Sequence, residues 1–311
     1  MRRNKVKAAL IFSLFIILVF CEGCGKKEVE KEEKKASVNE ELSANEKTRS
    51  NENEEIGGHS EKKEPAASSE IQGMDAQIES IVTPVTDMGG KVAVYVQNLQ
   101  TGEWSSYGNE CMQAASLIKL FVASAVEEQW ELVQQQEAYA GETDDLLRNM
   151  ITISDNEATN ELVIKLGEGD PTAGMSVVNQ FCQTRGFLDT HMGRLLLQQN
   201  PTGDNLTSVE DCGKFLLELY KGTLPGSEKI LELMKQQERT GKIPSGVPDG
   251  VVTANKTGEL TDVENDVAIV YGENGPYSIS VMMSELTDPY SARLTIVQLS
   301  SEIYETMGRM K

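Results

Sequence analysis

Ser116 and Lys119 stand three residues apart in a run of thirteen, Ala114 to Val126, in which Lys119 is the only charged side chain. Apolar residues crowd the lysine on every side, so the pattern predicts a helix buried all round, with the amine forced to find polar partners or reach water. A spacing of three places the Ser116 hydroxyl on the face of the amine, one turn back. The serine also falls where that helix should begin, and free backbone N–H groups at a helix start favour developing negative charge. Together these supply a nucleophile, a base whose pKa burial lowers, and a place for an oxyanion. The chemistry is acyl transfer through a serine ester. Taken alone the pair is weak evidence, because a capping serine before an ordinary helix lysine has the same spacing. Ser60 and Lys63 repeat it in a polar setting.

Two further triplets strengthen the signal. Ser154-Asp155-Asn156 separates two helical runs, Leu146–Ile153 and Glu157–Leu166, so its serine and asparagine can both point into a cleft from a loop. Lys256-Thr257-Gly258 is expected to end a strand, where a lysine and a threonine suit an anionic group and the glycine permits close backbone approach. Arg239-Thr240-Gly241 is a near miss that shows how cheaply one such match arises. Three matches in order, each in a suitable local setting, are a different matter.

The elements that must position these residues can be read from periodicity. Ile71 to Val85 repeats with a helical period, and Val92, Val94 and Val96 alternate with other residues before Thr101-Gly102 turns the chain into Glu103–Tyr107. A helix-rich middle covers roughly 115–237 and is interrupted by an irregular stretch, Phe187–Ser208. Three strand-like runs follow, Val251–Lys256, Asp266–Tyr271 and Tyr277–Ser284, then a last helix, Tyr290 to Met310. The expected fold is α+β. About five antiparallel strands carry helices, the first and last segments meet in the sheet, and the middle helices form a second lobe.

With motifs and elements in place, the chain resembles the class A β-lactamases and penicillin-binding proteins, whose three motifs match Ser116–Lys119, Ser154–Asn156 and Lys256–Gly258. Leu146–Asn160, Lys242–Gly246 and Glu264–Val270 extend the similarity across roughly 71–311. The resemblance implies the β-lactamase/DD-peptidase fold with a reduced helical lobe, since only 38 residues (154 − 116) separate the first two motifs. It also implies roles. Ser116 is acylated by a β-lactam or D-alanyl carbonyl and Lys119 helps take its proton. Ser154 relays a proton to the leaving nitrogen, and Asn156 holds the substrate's amide. Lys256 and Thr257 hold the substrate carboxylate, with Gly258 between them and the strand's continuation. The backbone N–H groups of Ser116 and Glu259 form the oxyanion hole. No metal or cofactor is needed. One departure stands out. Class A β-lactamases carry a glutamate in the loop between the second and third motifs that serves deacylation, whereas Phe187–Ser208 holds only Asp189 and Asp204. Three functions therefore compete: β-lactam hydrolysis, a D-alanyl-D-alanine peptidase or related wall hydrolase, and a non-catalytic wall-binding or acylated sensor protein.

Composition narrows the setting. The 311 residues carry a net charge of −20, and residues 71–311 hold sixteen bases against thirty-five acids, which excludes phosphate-backbone binding of nucleic acid. Two histidines and five cysteines without metal-ligand spacing argue against a zinc hydrolase. Arg2, Arg3, Lys5 and Lys7 precede fourteen uncharged residues, Ala8 to Cys21, too few for a spanning helix of about 20 and suited to a secretory signal. Cys24, followed by Gly-Lys-Lys, resembles a lipidated lipoprotein cysteine. The expected organisation is a signal over 1–24, a charged disordered tether over 25–70 and a hydrolase domain over 71–311, held as a monomer at the outer face of the cell membrane. Cys111, Cys182 and Cys212 allow at most one internal disulfide, or three unpaired thiols. Arg239 and Arg293 could add positive charge to the cleft. His191, Trp104 and Trp130 are read as packing or surface residues.

Overall fold

The computed structural model describes residues 69–199 and 203–310. The signal, Cys24 included, and all of the tether but Ser69 and Glu70 lie outside the described residues. The chain enters beside the sheet: Ser69 O accepts from Trp104 N and Glu70 bridges to Trp104.

Helix α1 (Met74–Asp87) is followed by the hairpin β1 (Lys91–Asn98) and β2 (Trp104–Tyr107), then by the short strand β3 (Met112–Gln113). Helices α2 (Ile118–Glu128), α3 (Trp130–Gln134), α4 (Glu142–Thr152), α5 (Asn156–Leu166) and α6 (Pro171–Arg185) come next. The short strand β4 (Leu206–Thr207) precedes α7 (Val209–Tyr220) and α8 (Ser227–Lys235). Strands β5 (Thr253–Leu260), β6 (Val263–Gly272) and β7 (Gly275–Ser284) lead to the closing helix α9 (Pro289–Arg309).

The five long strands form one antiparallel sheet in the order β2-β1-β7-β6-β5, so the two chain ends meet at β1 and β7 and β5 is left at an edge. Side chains alternate across a strand, and the sheet therefore feeds two cores. Val92, Val94 and Val96 of β1 pack with Ala268, Val270, Ile279 and Val281 under α1 and α9. Ala93, Ala254, Val267, Ile269 and Met282 face the second core, where Phe121 of α2 meets Phe187 and Phe215 at 5.3 and 4.9 Å. Each face covers an apolar layer that neither sheet nor helices could leave in water at roughly 25 cal/mol per Å². The α+β expectation holds.

Two boundaries differ from the sequence reading. The strand with Lys256-Thr257-Gly258 does not end there; it runs on to Leu260 and turns tightly into β6, pairing Leu260 with Val263. The apolar run at Ser116 does not start as an α-helix either. Ala115–Leu117 forms a 3₁₀ turn with Ala115 at φ 47°, and α2 begins at Ile118. Among the described residues no disulfide forms: Cys111 is exposed, Cys182 and Cys212 are buried, and all three are free. Trp104 stacks on Tyr95 and Trp130 lies 3.7 Å from the Lys229 amine, while exposed His191 pairs through its backbone with Leu206.

Candidate active site

The site is built at the edge strand β5, where three segments converge. The Ser116 turn is tied down from both sides: Ala114 N donates to Asn205 O (2.8 Å), and Asn265 Nδ2 on β6 donates to Gln113 O (2.9 Å) and Ala114 O (3.3 Å). Gly258 explains how close β5 comes. A Cβ there would stand 2.8 Å from Ala114 O and 3.2 Å from Ser116 N, distances that only a glycine avoids.

Lys119 is fully buried, as its setting predicted. Its Nζ donates to Ser154 O (2.6 Å), Ser154 Oγ (3.2 Å) and Asn156 Oδ1 (2.7 Å). Ser116 Oγ is not among these three hydrogen-bond partners. Three good acceptors surround the amine, enough for all three protons of its charged form. Ser154 sits at φ 63°, just before Asp155, whose carboxylate caps α5 by accepting from Ala158 N (2.7 Å). That left-handed residue costs about 1–3 kcal/mol in backbone strain and turns both its carbonyl and its hydroxyl toward Lys119.

Lys256, expected to meet a substrate carboxylate, is fully buried, and its Nζ donates to Ser154 Oγ (2.8 Å) and Thr257 O (2.9 Å). Ser154 Oγ is thus shared by two amines. Among the described residues no carboxylate bonds either of them, and burial dominates their titration: it lowers Lys119 to about 7 against a weaker pull from Asp155, and it drives Lys256 well below the ordinary lysine range, with repulsion from Lys119 and Arg239 adding to the effect. The arrangement provides a neutral amine near pH 7, a hydroxyl poised between two amines, and a half-buried serine at the front.

Ser116, Asn156 and Glu259 line one cleft of about 690 Å³ together with Ala115, Arg194 and Leu196. Its far wall comes from the irregular stretch, and sequence reasoning missed what holds that wall. Asn205 Oδ1 accepts from Gly193 N (3.0 Å) and Arg194 N (3.1 Å), and Arg194 Nε donates to Asp204 Oδ1 (2.7 Å). Asn160 brackets Leu196 with two bonds, 2.8 Å from Leu196 N and 3.0 Å to Leu196 O. The available signal for Asn160 was its place one helical turn after Asn156. Thr257 is buried, and the Glu259 side chain is paired with Lys242, Arg239 and Arg293.

The sequence matches the Beta-lactamase enzyme family over residues 74–139 and 134–307. No curated protein matches the chain. Among solved structures, PBP-A is similar with 26% identity and a TM-score of 0.66, covering 78% of this chain and 98% of its own. A single-substitution mutant of PBP-A, solved as an acyl-enzyme complex with penicillin G, aligns at 24% identity and a TM-score of 0.67 over 78% of this chain and 98% of that one. A beta-lactamase from Sphaerobacter thermophilus aligns at 21% identity and a TM-score of 0.66, over 78% of this chain and all (100%) of that one. At 24% and 21% the likeness speaks for the fold alone.

Proposed function

The chain belongs to the beta-lactamase enzyme family, and from that premise we propose a serine hydrolase that is acylated on Ser116 and opens the amide bond of β-lactam rings. The observation that carries this reading is the buried Lys119 amine, held without a carboxylate partner behind the cleft that Ser116 lines. A neutral Lys119 accepts the Ser116 proton as Oγ bonds to the carbonyl carbon. Charge developing on the carbonyl oxygen meets the backbone N–H groups of Ser116 and Glu259, an arrangement in which one donor is typically worth ~10²–10³ in rate. The C–N bond then breaks: the leaving nitrogen takes the proton of Ser154 Oγ, and the Lys119 ammonium, which carries the proton from Ser116, returns it to Ser154 Oγ, whose position Lys119 and Lys256 fix. Asn156 orients the substrate's amide, and Thr257 and Gly258 shape the strand against which it lies. Release of the acyl group requires an activated water.

The wall at Arg194-Leu-Leu-Leu-Gln-Gln199 offers no carboxylate for that task, which favours a second reading: a D-alanyl-D-alanine peptidase or related wall hydrolase that β-lactams trap. Export, anchoring through a lipid on Cys24 and a monomeric state belong to the same proposal, supported by the basic and apolar pattern of the first 24 residues. A chromogenic cephalosporin separates the readings. Many turnovers per chain support the β-lactamase. A burst equal to the protein concentration with no steady state, together with D-alanine release from D-Ala-D-Ala-ended muropeptides, assigns the peptidase. Ser116→Ala lowers either activity by ~10³-fold or more; a Ser116→Ala chain that kept full function in the cell would point to the non-catalytic sensor.

A further inference from the structure

Behind the mouth of the cleft, β5 and β6 place four polar side chains on one face. Thr257 stands opposite Asp266 and Glu259 opposite Glu264. Two carboxylates directly across an antiparallel pair repel each other, and here three cations answer them. The Lys242 amine lies 3.1 Å from Glu259 Oε1 and 2.6 Å from Glu264 Oε2, and donates to Asn265 O (2.9 Å). Arg293 reaches Glu264 Oε1 at 2.6 Å and Glu259 Oε1 at 3.8 Å, while Arg239 reaches Glu259 Oε2 at 3.5 Å.

The two carboxylates are not equivalent. Glu264 is sealed, with a side chain 3% exposed and two contacts of 2.6 Å. Glu259 is 33% exposed, its contacts run from 3.1 to 3.8 Å, and it lines the cleft with Ser116. Its two arginine partners are themselves about half exposed, at 51% and 43%, and long side chains at such exposure exchange partners at little cost. Three cations meet these two carboxylates beside the reacting serine, and the third carboxyl group on this face, Asp266, is raised by burial to about 7. Lys256, the one basic residue of β5 itself, is fully buried.

We infer that Glu259 is a specificity-determining residue: its carboxylate occupies Arg239 and Arg293 as an internal anion and competes with a substrate carboxylate for them. This rests on the reading above, in which the Ser116 cleft takes an amide that bears a carboxylate. Glu259 accordingly weakens the hold of the site on an anionic substrate end. Neutralising Glu259 removes one negative charge from the cluster and frees both arginines, whereas Lys242 keeps Glu264 and Asn265 O and so stays satisfied.

The test measures binding without requiring acylation. In the full chain carrying Ser116→Ala, NMR titration gives the affinity for penicillin G and for its uncharged methyl ester, with and without Glu259→Gln. The expected result is roughly fivefold tighter binding of the acid in the Glu259→Gln chain, no change for the ester, and loss of the gain when Arg239→Ala is added. The gain also shrinks in high salt. An acid affinity that is unchanged, weaker or undetectable in the Glu259→Gln chain overturns the inference, as does an equal shift for acid and ester, which would mark a merely structural role. Failure of the wild-type protein to form an acyl-enzyme would instead sink the functional reading and leave this binding result standing.

Discussion

A lysine amine given three hydrogen-bond acceptors and no carboxylate is held at the limit of what burial permits. The acceptors around Lys119, at 2.6 to 3.2 Å, favour the charged form, yet removal from water outweighs them and brings the amine to about 7. The sign for catalysis follows. Only the neutral amine can take the serine proton, and its fraction grows as pH rises through the folded-state value. The rate of Ser116 acylation by a β-lactam should therefore climb severalfold between pH 6 and pH 8 with an apparent pKa near 7, and a flat profile would speak against Lys119 as the base. Lys119→Arg should lose ~10²–10⁴ in that rate at every pH, because a guanidinium does not deprotonate. The burial of this lysine was legible from its apolar neighbours. The direction in which its amine points was not, because it depends on Ser154 and Asn156, 35 and 37 residues away.

At the scale of elements, the site depends on how closely an edge strand approaches a 3₁₀ turn. Gly258→Ala would drive a methyl group against Ala114 O, so β5 must retreat from Ser116 and carry the Glu259 backbone with it. The expected outcome is a fall in acylation of about 10²-fold with an unchanged far-ultraviolet circular dichroism spectrum; full activity in this variant would remove the strand from the proposed oxyanion site. The sequence marked the strand by its glycine and threonine but placed its end too early, since Glu259 and Leu260 lack the alternation that identifies a strand and are held by pairing with Glu264 and Val263. The loop at Phe187–Ser208 was recognised as irregular. Its scaffold of Asn160, Arg194, Asp204 and Asn205 was not, because side chains that hold a loop through backbone groups leave no periodic trace.

For the whole molecule, the alternation of Val92, Val94 and Val96 and the helical period of Ile71 to Val85 were enough to bring both chain ends to one sheet. The pairing of the three cysteines was open from sequence, where an odd count allows two answers. The structure leaves all of them free, with burial raising Cys182 and Cys212 to about 12. Both belong to the core between sheet and helices, so peptide mapping after a thiol reagent should find Cys111 modified in the native protein, and Cys182 and Cys212 modified together, at one rate, only when that core opens. Early, separate modification of Cys182 would show that the lobe opens piecemeal. The central claim, that a buried amine activates Ser116 at the cleft, is met most directly by intact-protein mass spectrometry after mixing with penicillin G. One adduct per chain is predicted, with the full mass of the drug because ring opening expels nothing, mapping to Ser116 and missing from Ser116→Ala. An unmodified wild-type chain in samples acid-quenched while drug is still in excess, or an adduct that survives Ser116→Ala, would contradict it.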